Sequence, residues 1–243
     1  MKVDILAVGV HPDDIELSCS GTLLAHLESG YRVGLLDLTQ GELGSRGSRE
    51  IRAAEAAEAA EKMGASFRWN LGLPDGFFQN NEETMMQVIR AIRRSQPEIV
   101  LANALEDRHP DHGRAAKLVA DSCFYAGLIK IVTLDEQGNQ QAQWRPKALY
   151  HYIQDRDLTP DFVVDISRFL EEKMELVRTF RSQFYQGENE AFQQEVSTPI
   201  SGRDFMEFLR AKNRAFGRRA GFEYAEGFNY HRTIGIRNLF HLE

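Results

Sequence analysis

The stretch Val3-Asp4-Ile5-Leu6-Ala7-Val8-Gly9-Val10, closed by His11-Pro12-Asp13-Asp14, decides the fold. Ile5, Leu6, Val8 and Val10 make a short apolar run, the pattern of a strand buried on both faces, and the run stops at turn-forming residues. A helix is predicted next, from about Ser20 to Ser29 with Gly30 as its stop, and Tyr31 to Thr39 reads as a second strand. Gln40 to Ser48 is a glycine-containing loop that carries Arg46, and the Ala/Glu-rich stretch from Arg49 to Met63 reads as a helix ended by Gly64. A third strand over Ser66 to Leu71, the Leu73-Pro74-Asp75-Gly76 turn, a helix over Glu83 to Ser95, a fourth strand over Glu98 to Ala104 and a helix from Pro110 to Tyr125 continue the alternation. Such alternation predicts a mostly parallel sheet with helices on both faces.

That architecture is an α/β fold, a single-domain Rossmann-like three-layer sandwich, and one domain is expected to take up residues 1–243. Beyond Gly127 further strands are predicted at Ala148 to Ile153 and Phe162 to Ile166, and helices at Ser167 to Phe180 and Asp204 to Arg219. The polar segment from Ser182 to Gly202 between those helices reads as a mobile flap. With 42% hydrophobic and 27% charged residues the chain can bury a sizeable core. A net charge of -7 with no Lys/Arg block argues against a nucleic-acid partner. No apolar run is long enough for a bilayer and no leader pattern opens the chain, so no membrane partner and a cytoplasmic location are expected. Cys19 and Cys123 are the only cysteines and form no Cys-x-x-Cys pair, which leaves His and carboxylate side chains to hold any metal.

Ligands of an open parallel sheet sit at the carboxyl ends of its strands, and two His/Asp clusters fall there. His11-Pro12-Asp13-Asp14 follows the first strand and His109-Pro110-Asp111-His112 the fourth. No G-x-G-x-x-G follows the first strand, which disfavours a dinucleotide cofactor. A catalytic zinc site needs about three His or carboxylate ligands and an open position, and His11, Asp14 and His112 supply that set. Zn2+ is the expected ion, with Fe2+ or Co2+ fitting the same donors. Asp13, pointing away from its neighbour, is the candidate general base. Pro110 suits the first helical position, which puts Asp111 and His112 in the first turn and leaves His109 to face substrate. Taken alone, His-Pro-Asp-Asp also describes an ordinary turn and helix cap. Capping does not call for three histidines, and the second cluster is what turns the reading towards catalysis. Arg49, Arg52 and Glu55 equally fit a solvated helix face with an Arg52/Glu55 pair. His26, His151, His231 and His241 lack such neighbours and are expected to be structural or exposed.

His11-Pro12-Asp13-Asp14-x-Glu16 together with His109-Pro110-Asp111-His112 resembles the paired signature of the PIG-L, or LmbE-like, zinc N-deacetylases. Within that family, Gly41-Glu42, Gly47-Ser48, Glu50-Ile51-Arg52, Thr198-Pro199-Ile200-Ser201-Gly202, Phe208-Leu209-Arg210 and Tyr224-Ala225-Glu226-Gly227-Phe228 resemble most the bacillithiol biosynthesis deacetylases, which act on N-acetylglucosaminyl malate. The resemblance implies metal ligation by His11, Asp14 and His112, Asp13 as base, and His109 as oxyanion stabiliser or acid, oriented by Asp111. It places Arg52 and Asp75 at sugar-binding positions and implies a symmetric homo-oligomer. The polar Gln186 to Glu195 segment departs from relatives. A malyl aglycone would bring two carboxylates, for which Arg46 and Arg108 are the candidate partners. The alternatives are another N-acetylglucosamine-containing substrate, such as a mycothiol precursor, a chitooligosaccharide or an antibiotic intermediate, or a metal- or sugar-binding protein without turnover.

Overall fold

A computed structural model describes residues 1–186 and 196–241 of the chain. Its seven strands are β1 (Ile5–Gly9), β2 (Val33–Thr39), β3 (Phe67–Leu73), β4 (Ile99–Ala102), β5 (Ala148–Tyr152), β6 (Phe162–Asp165) and β7 (Ala225–Asn229). Its helices are α1 (Asp14–Ser18), α2 (Ser20–Glu28), α3 (Arg49–Met63), α4 (Glu82–Ser95), α5 (Pro110–Ala126), α6 (Leu170–Arg178) and α7 (Arg203–Ala220). They build one sheet in the order β3-β2-β1-β4-β5-β7-β6, in which β7 alone runs antiparallel to its neighbours. This is the α/β sandwich with a mostly parallel sheet that the alternation predicts.

The apolar run of β1 serves both faces because successive side chains point in opposite directions. Leu6 and Val8 join Val88, Ile92, Leu118 and Val119 of α4 and α5 on one side. Ile5 and Ala7 join Ile15, Leu23 and Leu176 of α1, α2 and α6 on the other. β1 pairs with β2 on one flank and β4 on the other, so the chain winds outward from β1 in one direction and from β4 in the other. The ends of β1 and β4 therefore flank the point where the winding reverses, the crevice in which such sheets bind ligands.

Three elements differ from the sequence expectation. The residues after Asp13 form a short helix of their own, α1, broken from α2 at Cys19. The helix expected from Ser167 starts at Leu170. The strand β7 was not expected: Glu and Gly favour strands poorly, and Ala225-Glu226-Gly227-Phe228 lacks alternation because all four residues are buried. Glu226 tolerates burial through an ion pair with Lys173 at 2.6 Å. Gly227 keeps the strand close to α7, where a Cβ would crowd the Phe216 ring at 3.1 Å. Of the flap expected over 182–202, residues 187–195 lie outside the described residues. No helix among the described residues is long and apolar enough to cross a membrane.

Candidate functional site

A cavity of about 230 Å³ opens at the β1/β4 crevice, lined by His11, Asp13, Asp14, His109 and His112 and by Arg52, Asp75, Asp107 and Arg108. Each cluster arrives there as a strand runs out into a helix. After β1 the backbone turns sharply, and Asp13 takes φ 144°, a region an L-residue occupies only at a cost of about 1–3 kcal/mol. That turn separates the two neighbouring carboxylates. After β4, His109 is the N-cap of α5 and Pro110 its first residue, which sets His112 in the first turn facing β1.

One donor atom from each of His11, Asp14 and His112 lies within 4.8 Å of the other two. Asp14 is held on all sides: its Oδ2 accepts from the backbone N–H groups of Val10 (2.9 Å) and His11 (3.0 Å) and from Asn103 Nδ2 (2.9 Å). Its Oδ1 accepts from Gln154 Nε2 (3.0 Å) and lies 3.2 Å from His112 Nε2. Burial opposes its ionisation, yet His112 and His11 hold the carboxyl well below the usual range. The far nitrogens of both histidines meet carboxylates. His11 Nε2 is 3.0 Å from Asp75 Oδ1, and His112 Nδ1 is 2.5 Å from Asp107 Oδ2. Carboxylates on the outer nitrogens orient ligating imidazoles and raise their basicity, the arrangement that surrounds bound zinc and related ions. Two imidazoles and one carboxylate, so supported, fit a divalent cation of the zinc class. Burial lowers the pKa of His112, but Asp14 and Asp107 overcome it and raise it to about 10, so a cation must displace a proton to be ligated there.

Asp13 faces the same space without joining this set. Arg52 donates to its Oδ2 at 3.1 Å and to the Pro12 carbonyl at 3.2 Å. Burial raises Asp13 to about 7 against the pull of Arg52, with the Asp14 charge adding to the rise. Arg52 also donates to the Gly41 carbonyl at 2.9 Å, and only glycine fits at 41, where φ is 65° and a Cβ would sit 1.9 Å from the guanidinium. His109 accepts the Asp111 backbone N–H on Nδ1 at 3.3 Å, which leaves the proton of its neutral form on Nε2. Burial lowers the His109 pKa, with His11 and His112 adding to the shift, which favours the neutral ring.

The structure corrects several expected contacts. The Asp111 carboxylate is not what orients His109: its oxygens accept from the Gly76 N–H at 2.8 Å and from Arg114 at 2.8 Å, and the backbone N–H makes the bond to the ring. Arg46 does not line the cavity; it is buried and donates to the carbonyls of Ser182 (2.7 Å) and Val196 (3.0 Å), which spends its guanidinium on the backbone of a neighbouring segment. Arg52 and Glu55 are not a solvated face, since both are buried and Glu55 binds Ser182. Arg108 does reach the rim, paired with Asp155 at 2.6 Å. Asp75 lines the cavity, with one oxygen on His11 and the other accepting the Leu43 N–H at 2.9 Å. Asp107, Asn103, Gln154 and Lys212 were not singled out. Asp107 alone left a sequence signal, a second acid in the run from Glu106 to His112.

Residues 6–123 match the family PIG-L, described as GlcNAc-PI de-N-acetylase. The conserved protein TT1542 from Thermus thermophilus is 35% identical, with a TM-score of 0.83 over 97% of this chain and 98% of that one. The chain belongs to the PIG-L family. Diacetylchitobiose deacetylase of Thermococcus kodakarensis is 27% identical over 93% of this chain and 82% of its own length. GalB, the 4-carboxy-2-hydroxymuconate hydratase of Pseudomonas putida, is 21% identical with a TM-score of 0.75, covering 98% of this chain and all of the other. That likeness shows the fold alone, and it means the fold does not by itself name the reaction.

Proposed function

We propose that this N-deacetylase hydrolyses the acetamide of an N-acetylglucosamine-containing small molecule, with His11, Asp14 and His112 holding a divalent cation. The observation that carries the reading is the division of labour between adjacent carboxylates. Asp14 is locked among four hydrogen-bond donors and against His112. Asp13 instead accepts a single bond from Arg52, lines the cavity and has its pKa pushed up by burial, the placement a general base needs.

A bound zinc-class cation supplies Lewis acidity for the carbonyl and for water. With the acetamide in the cavity, Asp13 accepts a proton from the water that attacks the carbonyl carbon. His109 donates its Nε2–H to the oxygen on which negative charge develops. The C–N bond breaks as the proton held by Asp13 passes to nitrogen, leaving a free amine and acetic acid, whose remaining proton passes to solvent to give acetate. Arg52 keeps Asp13 aimed at the cavity, and Asp75 and Asp107 keep the two imidazoles turned towards Asp14.

The finer reading is that the substrate is N-acetylglucosaminyl malate, the precursor deacetylated in bacillithiol biosynthesis. Its support is the signature of the tail and loop segments together with Arg108 at the rim. Similarity to a diacetylchitobiose deacetylase makes a chitooligosaccharide the second candidate. Acetate release by the purified protein is to be measured on N-acetylglucosaminyl malate, diacetylchitobiose and N-acetylglucosamine, before and after chelation and with zinc, iron(II) or cobalt(II) restored. The malate conjugate is expected to be turned over fastest and chelation to stop all turnover. Chelator-resistant activity would reject the metal assignment, and a protein that binds these sugars without releasing acetate would be a binding protein.

A further inference from the structure

The face that α7 turns to the cavity takes no part in the chemistry above. Phe205, Phe208, Leu209 and Lys212 recur at i, i+3, i+4 and i+7, one stripe of the helix, and all four line the cavity. Phe208 is 41% exposed although it stands in this wall, and its ring centre lies 6.0 Å from Lys212 Nζ. The stripe is thus an apolar, aromatic surface that ends in an ammonium.

Arg52, Arg108 and Lys212 are the Arg and Lys side chains lining the cavity among the described residues. The first is joined to Asp13 and the second to Asp155. Lys212 donates instead to a neutral acceptor, the backbone carbonyl of Gln154, at 2.7 Å. An ammonium has three donors, so two remain for a ligand. Gln154 also fixes where that ammonium stands relative to the chemistry, because its side chain donates to Asp14 Oδ1 at 3.0 Å and accepts from Asn103 at 3.0 Å. One residue therefore ties the cation on α7 to a ligand of the proposed metal centre.

We propose that Lys212 is a specificity-determining residue, its ammonium receiving an anionic group on the aglycone while Phe205 and Phe208 cover the aglycone's carbon skeleton. This rests on the deacetylase reading and sharpens its substrate class. Burial, with the Lys173 ammonium adding to it, lowers Lys212 to about 8 against the pull of Glu226, Asp107 and Asp155. A bound anion favours the charged form of such a lysine and is favoured by it in return.

The test is steady-state kinetics of the metal-loaded enzyme on three substrates: N-acetylglucosaminyl malate, N-acetylglucosamine 1-phosphate and neutral methyl N-acetylglucosaminide. Lys212→Met keeps the apolar stem and removes the charge, and Lys212→Arg restores the charge. The preference in kcat/KM for the anionic over the neutral substrate is expected to fall by about 10- to 100-fold in Lys212→Met, mostly through KM, and to return in Lys212→Arg. Whichever anion shows the fall tells carboxylate from phosphate. Should Lys212→Met not fold, Lys212→Gln, which keeps a donor for the Gln154 carbonyl, carries the same comparison. An unchanged preference, or equal losses on all three substrates, overturns the assignment. A wild-type enzyme that releases acetate from none of them overturns the deacetylase reading itself, and this proposal with it.

Discussion

Asp13 and Asp14 share a turn and a residue type, and their surroundings make them opposites. Asp14 accepts four hydrogen bonds and touches His112, while Asp13 accepts one bond from Arg52 in a buried place. Asp13→Asn keeps the shape and removes the proton acceptor, so kcat is expected to fall by about 10² to 10⁴-fold with metal stoichiometry unchanged. Asp107 meets the far nitrogen of His112 through Oδ2 and accepts the backbone N–H groups of Asp155 and Arg156 on Oδ1. Asp107→Asn keeps the shape but removes the charge behind that imidazole, and it is expected to weaken metal affinity by about 10- to 100-fold. Metal content by atomic absorption beside kcat separates the two; loss of metal in Asp13→Asn would mean that the roles of the two aspartates must be exchanged. The residues facing the centre were legible because His and Asp at two strand ends form a pattern along the chain. Their supports were not: Asn103 and Gln154 reach Asp14 only because β4 and β5 end side by side, and nothing local marks an amide for that task.

At the scale of elements, the break between α1 and α2 would leave carbonyls and N–H groups without partners inside the fold. Lys173 of α6 donates to the carbonyls of Glu16 (3.1 Å) and Leu17 (2.7 Å), and Glu226 of β7 accepts from the N–H groups of Gly21 (3.1 Å) and Thr22 (2.7 Å). The two are paired with each other and fully buried, so a positive group meets a helix C-terminus and a negative group a helix N-terminus. Glu226→Gln leaves the Lys173 ammonium buried without its counter-charge and is expected to cost about 3–5 kcal/mol in urea unfolding, as is Lys173→Met. The double variant should cost clearly less than the two together. Additive losses would show that the pair is not a coupled unit. The same staple explains why β7 escaped the sequence reading: a strand whose Glu is buried by a partner on another element carries no period-two pattern to detect. The helix α3 was legible to its ends because its stops are local, Ser48 accepting the Ile51 N–H and Gly64 taking φ 80°.

The sheet as a whole joins the crevice to the rest of the molecule through β5, where His151 is fully buried and its Nδ1 lies 2.8 Å from the carbonyl of Asn103. Burial lowers His151 to about 4, with the Asn103 carbonyl opposing and His231 assisting. An unfolded chain restores the ordinary value of about 6.5, so between these two values the unfolded state binds more protons than the folded one. Stability from this residue is therefore complete above about pH 6.5 and is lost as the pH falls towards 4, by at most about 3 kcal/mol. Between pH 7 and pH 5 the loss should be about 2 kcal/mol. His151→Gln keeps a polar side chain of similar reach but cannot titrate. Urea unfolding of the chelated protein at both pH values keeps metal release out of the comparison, and the other acidic groups titrate alike in wild type and variant. The difference in unfolding free energy between pH 7 and pH 5 is expected to be about 2 kcal/mol smaller in His151→Gln. Equal pH dependence in the two proteins would show that His151 titrates in the folded state as it does in the unfolded one, and the bond to Asn103 behind Asp14 would then have to be assigned to an imidazolium at about pH 5.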